Sequence, residues 1–318
     1  MAKQSGMGMR LLLGGYDVSG DINALDQVSG GPELLDVTDI TQSAHSRIPG
    51  QRDGHMAFTA FMDTANAHPV LSALPRADVL MTALLPTLAV GGAAACLNAK
   101  QLNYDPTRSA KGDLTLKVAG DGNAFGLEWG VTLTAGLRTD TTATNGAALD
   151  NAAATGWGAQ MYLQVTGFAG TSVTVTVQQS ADNSTWITLG SAFTAVTAAP
   201  NTQRVTTAAA QTFTATNASP CVFTVPGSAY ANGVPVVLSG ASVPTGFTAG
   251  TVYYVVASSG STFELSATSG GSAINSSSTG SGTVTPAVLR YLRAITAGTF
   301  PSAVFAVMVN RNLTATVF

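Results

Sequence analysis

Apolar and polar residues alternate with a period of two in the most ordered-looking stretches of this chain. Val173, Val175 and Val177 alternate with Thr174 and Thr176. Leu114, Leu116 and Val118 alternate with Thr115 and Lys117, and Leu127, Trp129, Val131 and Leu133 with Glu128, Thr132 and Thr134. Successive side chains of a strand point to opposite faces, so such runs predict half-buried antiparallel strands. Asp182-Asn183-Ser184 turns the chain from the valine strand into Trp186–Leu189, which makes a hairpin. Further strands read at Leu289–Ile295 and Val304–Val309. One short helix is predicted, opened by Asp63-Thr64, running to about Leu74 and stopped by Pro75. Thr41–Gly54 has no period and holds Pro, two Gly and two Arg. It is expected to be a long loop, and long ordered loops are usually functional or interfacial. The fold class is therefore all-β with one short helix.

Charge divides the chain. Only 10% of residues are charged, well below the average of roughly 25%, so polar surface comes from Thr, Ser, Asn and Gln. Residues 1–140 hold 10 basic and 14 acidic side chains, and residues 141–318 hold 4 and 3. Between Thr212 and Pro286, Glu264 is the single charged residue in 75. Thr139–Ala148 is a small-residue linker without periodicity. The block 212–286 carries its own strands, at Val234–Leu238, Val252–Val256 and Thr262–Leu265. These shifts divide the chain into 1–148, a discontinuous β-sandwich of 149–211 and 287–318, and a small β module, 212–286, inserted into it. Insertion at a loop tip is thermodynamically tolerable.

Several function classes are disfavoured. Cys96 and Cys221 are too few for a disulfide scaffold or a Cys-rich zinc site. His45, His55 and His68 are ten or more residues apart and form no metal motif. There is no Gly-x-Ser-x-Gly, His-Glu-x-x-His, phosphate loop or dinucleotide fingerprint, so no catalytic residue, cofactor or metal is expected and the chain does not read as an enzyme. Val79–Leu97 is uncharged for 19 residues, but Pro86 and Gly91-Gly92 break it. It reads as strand, turn and strand rather than a membrane span. No Lys/Arg cluster supports nucleic-acid binding. An acidic protein can still conduct DNA by repelling it, because a carboxylate-lined channel lets a polyanion slide without sticking.

Residues 10–85 carry a resemblance. Arg10-Leu-Leu-Leu-Gly-Gly-Tyr-Asp-Val-Ser-Gly-Asp-Ile-Asn23 is followed by Glu33-Leu-Leu-Asp-Val-Thr38, Arg47-Ile-Pro-Gly-Gln-Arg-Asp-Gly54, Phe58-Thr-Ala-Phe-Met-Asp63 and His68-Pro-Val-Leu-Ser-Ala-Leu74. Together with the order of elements, this resembles the major tail tube protein of long-tailed, siphovirus-type bacteriophages, especially those of actinobacterial hosts, over about residues 8–140. Gly170–Trp186 with Leu289–Ala294 resembles β-sandwich modules appended to phage tail proteins. Ser219–Leu238, Pro244–Val256 and Phe263–Ser266 resemble a small β module of phage structural proteins.

The resemblance implies a tube-forming domain in 1–148 with β-sandwich and barrel-forming character. It implies a virion structural protein made in the host cytoplasm, whose hexameric rings stack into the hollow virus tail that conducts the genome at ejection. Partners would be copies of itself, the tape measure, tail terminator and distal tail proteins, and genomic DNA in transit without specific binding; no membrane is implied. His45, Arg47, Arg52 and Asp53 are expected to make inter-subunit contacts from the 41–54 segment. Some of Asp17, Asp21, Asp26, Glu33, Asp36 and Asp39 would face the lumen. The alternative is a tail-fibre or adhesion protein whose sandwich binds cell-wall glycan through Trp157, Trp186, Tyr253 or Tyr254. For these aromatics, burial in a core is the competing expectation.

Overall fold

The computed structural model describes residues 5–314. The chain runs β1 (Arg10–Leu13), β2 (Tyr16–Asp17), β3 (Ile22–Asp36), β4 (Arg47–Phe61), α1 (Ala67–Leu71), β5 (Val79–Leu84), β6 (Ala93–Gln101), β7 (Asp105–Arg108), β8 (Leu114–Gly122), β9 (Glu128–Thr132), β10 (Arg138–Asp140) and β11 (Leu149–Asp150). There follow β12 (Ala159–Ala169), β13 (Ser172–Ser180), β14 (Ile187–Thr188) and β15 (Asn201–Thr206). Next come β16 (Gln211–Ala215), β17 (Phe223–Thr224), β18 (Pro235–Ser242), β19 (Val252–Ser259), β20 (Thr262–Ser266) and β21 (Gly280–Pro286), and last β22 (Tyr291–Thr299) and β23 (Ser302–Arg311).

One large antiparallel sheet organises the molecule, in the order β15-β12-β23-β9-β6-β5-β1-β2. A branch continues from β6 through β8 to β4 and β3. The last strand, β23, lies between β12 on one side and β9 and β10 on the other, so the sheet passes unbroken from early to late sequence. It also curls. The amide of Gly15, in the β1–β2 turn, donates to Gln164 Oε1 on β12 at 2.8 Å. Gln164 Nε2 in turn donates to the carbonyl of Leu80 and to Thr82 Oγ1. Leu12, Leu80, Leu84, Cys96, Tyr162 and Met308 fill the curl. Gln164 is fully buried there, and its paired amide makes that burial tolerable.

The outer face of the sheet carries two more cores. Met56, Phe58, Met81, Leu97 and Val118 pack with Leu71 of α1. Val173, Val175 and Val177 pack against Leu163, Val165, Phe305 and Val307, joining the large sheet to a second one, β11-β22-β13-β14. The predicted hairpin is present, with Asp182 Oδ1 accepting from the amides of Ser184 and Thr185. These amide bonds hold the Asp182 carboxyl far below its ordinary value. Strands β16 to β21 close into a six-stranded barrel, filled by Phe223 against Phe213, Phe247 and Phe263.

Val79–Leu97 is strand, turn and strand, as its breakers predict. Three other expectations change. The helix is a single turn, because Pro69 lies inside it and Leu74 adopts φ 44°, a left-handed conformation that stops a helix. The segment 41–54 is not one long loop: from Arg47 onward it is strand β4. Pro49 and Gly50 are accommodated because their partner β3 shifts register between Pro32 and Leu34 and the pair is exposed. Finally, β9 does not alternate as its sequence reads. Glu128 and Thr132 are buried while Trp129 is half exposed, because Glu128 and Thr132 lie beside Cys96 and Met308 on the face that the curl covers, and Trp129 points to the other face.

Candidate assembly surface

Strands β3 and β4 form an arm. Its inner half is anchored: Met56, Phe58 and Ala60 are buried, and β4 pairs with β8 from His55 to Phe61. The outer half, Gly31–Asp36 against Arg47–Asp53, pairs only with itself. Cross-strand partners there are Leu34 with Pro49, Leu35 with Ile48, and Asp36 with Arg47. The tip closes with short polar turns. Asp36 Oδ1 accepts from the amide of Thr38, Asp39 Oδ1 accepts from that of Thr41, and His45 Nδ1 meets Asp36 Oδ2 at 2.9 Å. The Thr38 hydroxyl above all holds the Asp36 carboxyl below its ordinary value, and the Thr41 hydroxyl does the same for Asp39.

The arm's side chains are wrong for a solvated hairpin. Ile40 is fully exposed and Leu34 is 62% exposed, with Leu35, Val37 and Ile48 close to half exposed. The outer edge of β3 has no partner strand among the described residues. An isolated two-stranded hairpin is marginal in water, and an exposed apolar edge strand is a template for another chain. This combination is what a surface for joining copies requires.

A cleft of about 2150 Å³ opens beside the arm. One wall is the arm itself, including Gly31, Leu35 and Arg52; the other is Trp157, the stem Thr206–Ala210, and barrel residues Ser239, Thr283 and Thr285. Its floor holds a buried ion pair. Arg204 on β15 donates to both carboxylate oxygens of Glu128 on β9, at 3.0 and 3.3 Å. Its Nε–H donates to the Tyr162 hydroxyl, and its guanidinium lies 3.6 Å from the centre of the Phe125 ring. Burial raises the Glu128 carboxyl above its ordinary value, against the opposing pull of Arg204. Neither Glu128 nor Arg204 was legible as a site from sequence: 76 residues separate them, and only the curled sheet joins them.

No family model matches the chain, and no curated protein matches it. Among solved structures, a chain from the virion of a native gene transfer agent particle aligns at 15% identity and TM-score 0.34, covering 40% of this chain and 98% of that one. The SPP1 Dit protein, described as a paradigm of the hub adsorption apparatus in phages infecting Gram-positive hosts, aligns at 10% identity and TM-score 0.28, covering 95% and 98%. Likenesses this weak carry no argument about what the chain does.

The residues singled out from sequence fall in distinct places. His45 is at the arm tip and Arg47 is on the arm's outer half. Arg52 and Asp53 sit at its root, both exposed: the Arg52 guanidinium reaches the Leu127 carbonyl at 3.5 Å, and the Asp53 backbone carbonyl accepts from the Leu127 amide. Of the acidic set, Asp17 pairs with Arg10, Asp21 accepts from Asn66, and Asp26 accepts from Thr59. Glu33, Asp36 and Asp39 are on the arm. No metal-holding group of His, Cys, Asp or Glu occurs among the described residues.

Of the four outer aromatics, Tyr253 takes the core alternative. It is buried in the barrel, 5.2 Å from Phe247, and its hydroxyl accepts from the Thr248 amide. Barrel closure puts it inside because it alternates with Tyr254, which stays half buried on the other face of β19. Trp186 lies under Arg293 at 4.1 Å, and Trp157 lines the cleft.

Proposed function

We propose that this chain is a phage virion structural protein that pairs with copies of itself through the β3–β4 arm, building stacked hexameric rings of a tail tube. The observation that carries this reading is the arm: exposed leucine and isoleucine side chains on a self-paired hairpin with an open edge. Head-to-tail contacts through such an element close into rings or extend as tubes. The sequence resemblance over residues 8–140 supports the ring and tube form. In this reading 1–148 builds the tube and is joined through β12, β15 and β23 to an outer sandwich of 149–211 with 287–318 that bears the module 212–286. DNA passes an acidic lumen without being gripped, and other tail proteins set the tube's length. The fibre or adhesion alternative needs an exposed aromatic platform. Trp186 stacked under Arg293 and Tyr253 in the barrel core count against one.

Electron microscopy of the purified full chain at rising concentration tests the proposal. Hollow tubes or six-fold stacked rings are expected; monomers that persist, even with tail-initiating proteins added, would overturn it.

A further inference from the structure

The walls of the cleft are tied together through its floor, and the parts of the tie can be followed residue by residue. On the barrel side, the Tyr230 hydroxyl donates to the Ala209 carbonyl of the stem at 2.7 Å. The stem continues back into β15, where Arg204 is held by Glu128 and Tyr162. Phe125 stacks on that guanidinium from the β8–β9 loop. The same loop is wedged into the arm root. A Cβ on Gly30 would lie 2.5 Å from Leu127 Cβ, and one on Gly54 would lie 2.6 Å from the Leu127 nitrogen. One on Gly126 would come within 3.0 Å of the Asp53 carbonyl oxygen. These glycines let backbone meet backbone, and the Leu127 amide completes the join by donating to the Asp53 carbonyl.

We infer that Phe125 is a positioning residue: its stack on Arg204 ties the arm root to the barrel stem and holds the arm at one angle to the barrel. Phe125 is 42% exposed, so its ring is not there to fill a core. A planar guanidinium fixed by three hydrogen bonds gives the ring one seat, where a lysine ammonium would give many. Without the ring, Arg204 holds the loop only at its far end, through Glu128, so the Phe125 side loosens and the arm rocks about its glycines while sheet, sandwich and barrel stay folded. The tie goes beyond the assembly reading. It is measured in the unassembled chain, so its failure and the failure of that reading are separate results.

The test uses spin labels on Ser43→Cys at the arm tip and Ser277→Cys on the barrel. Cys96 and Cys221 are buried and free, and labelled chain is diluted into unlabelled chain. Pulsed electron–electron distance measurement should give one narrow distribution in the otherwise native chain. Phe125→Ala should broaden it severalfold and speed hydrogen exchange at residues 47–53 by about fivefold, the scale of one cation–π contact. Phe125→Tyr should restore both, and Arg204→Lys should behave like Phe125→Ala. An unchanged distribution in Phe125→Ala overturns the inference. So does broadening accompanied by faster exchange throughout the barrel, or a failure of Phe125→Tyr to restore the narrow distribution.

Discussion

At the scale of residues, two ion pairs with similar geometry should behave differently. Arg290 grips Asp150 at 2.7 Å through two nitrogens, but both side chains are 44% exposed, and water screens such pairs. Glu128 is 6% exposed against Arg204, so Glu128→Ala would leave a guanidinium uncompensated. We expect it to destabilise the fold by about 3 kcal/mol, the scale for breaking a buried pair, whereas Asp150→Ala lowers the urea midpoint far less. The two also give opposite pH slopes. Asp150 is depressed to about 2, chiefly by its bond to Arg290, so its contribution is full above the ordinary carboxylate value and is lost as pH falls toward 2. Glu128 is raised by burial, so its folded form holds a proton more tightly than its unfolded form. Its effect is to favour folding below the ordinary carboxylate value and to lose that benefit as pH rises through the raised one. Urea unfolding of Glu128→Gln across acid pH should lack this second slope and keep the first. None of this was legible in the sequence, where Glu128 reads as the solvent-facing member of an alternating strand.

At the scale of elements, the arm depends on a root without side chains. Gly54→Ala would put a methyl 2.5 Å from Leu97 Cδ1 and 2.6 Å from backbone. We expect a loss of roughly 1–3 kcal/mol, typical of overpacking, read as a lower thermal midpoint. Gly233→Ala, in open space but at φ 86°, separates backbone strain from clash. Strands with one core face were legible: β13 buries the valines its alternation marks, and β8 buries Leu116 and Val118 but leaves Leu114, at its start, exposed. Alternation misleads for β9 because its polar members, Glu128 and Thr132, lie on the face that the curl covers. It fails for β4 beyond Asp53 because Pro49, Gly50 and Gly54 look like loop residues until an exposed two-stranded partner is known. The arm is thus visible in sequence only as aperiodicity, while its apolar side chains are plain.

At the scale of the whole molecule, the unbroken sheet decides which parts can be removed. Cutting away everything after residue 150 would take β23 with it, strip β10 of its partner and leave β9 with β6 alone. Excising the closed barrel and joining 210 to 287 removes only a module whose strands pair among themselves. We expect the shortened chain to fold cooperatively and to assemble, as judged by calorimetry and light scattering. The charge asymmetry was legible from composition; the curl that joins Gly15 to Gln164 was not, because its polar seam spans 149 residues. The central claim is that the arm joins copies, and sedimentation velocity of the full chain carrying Leu34→Asp and Ile40→Asp tests it most directly. Both positions are exposed, so the thermal midpoint should hold while large assemblies formed by the native chain disappear in favour of a single slow species. Undiminished assembly by this variant, at the same concentration and with the fold intact, would contradict the account.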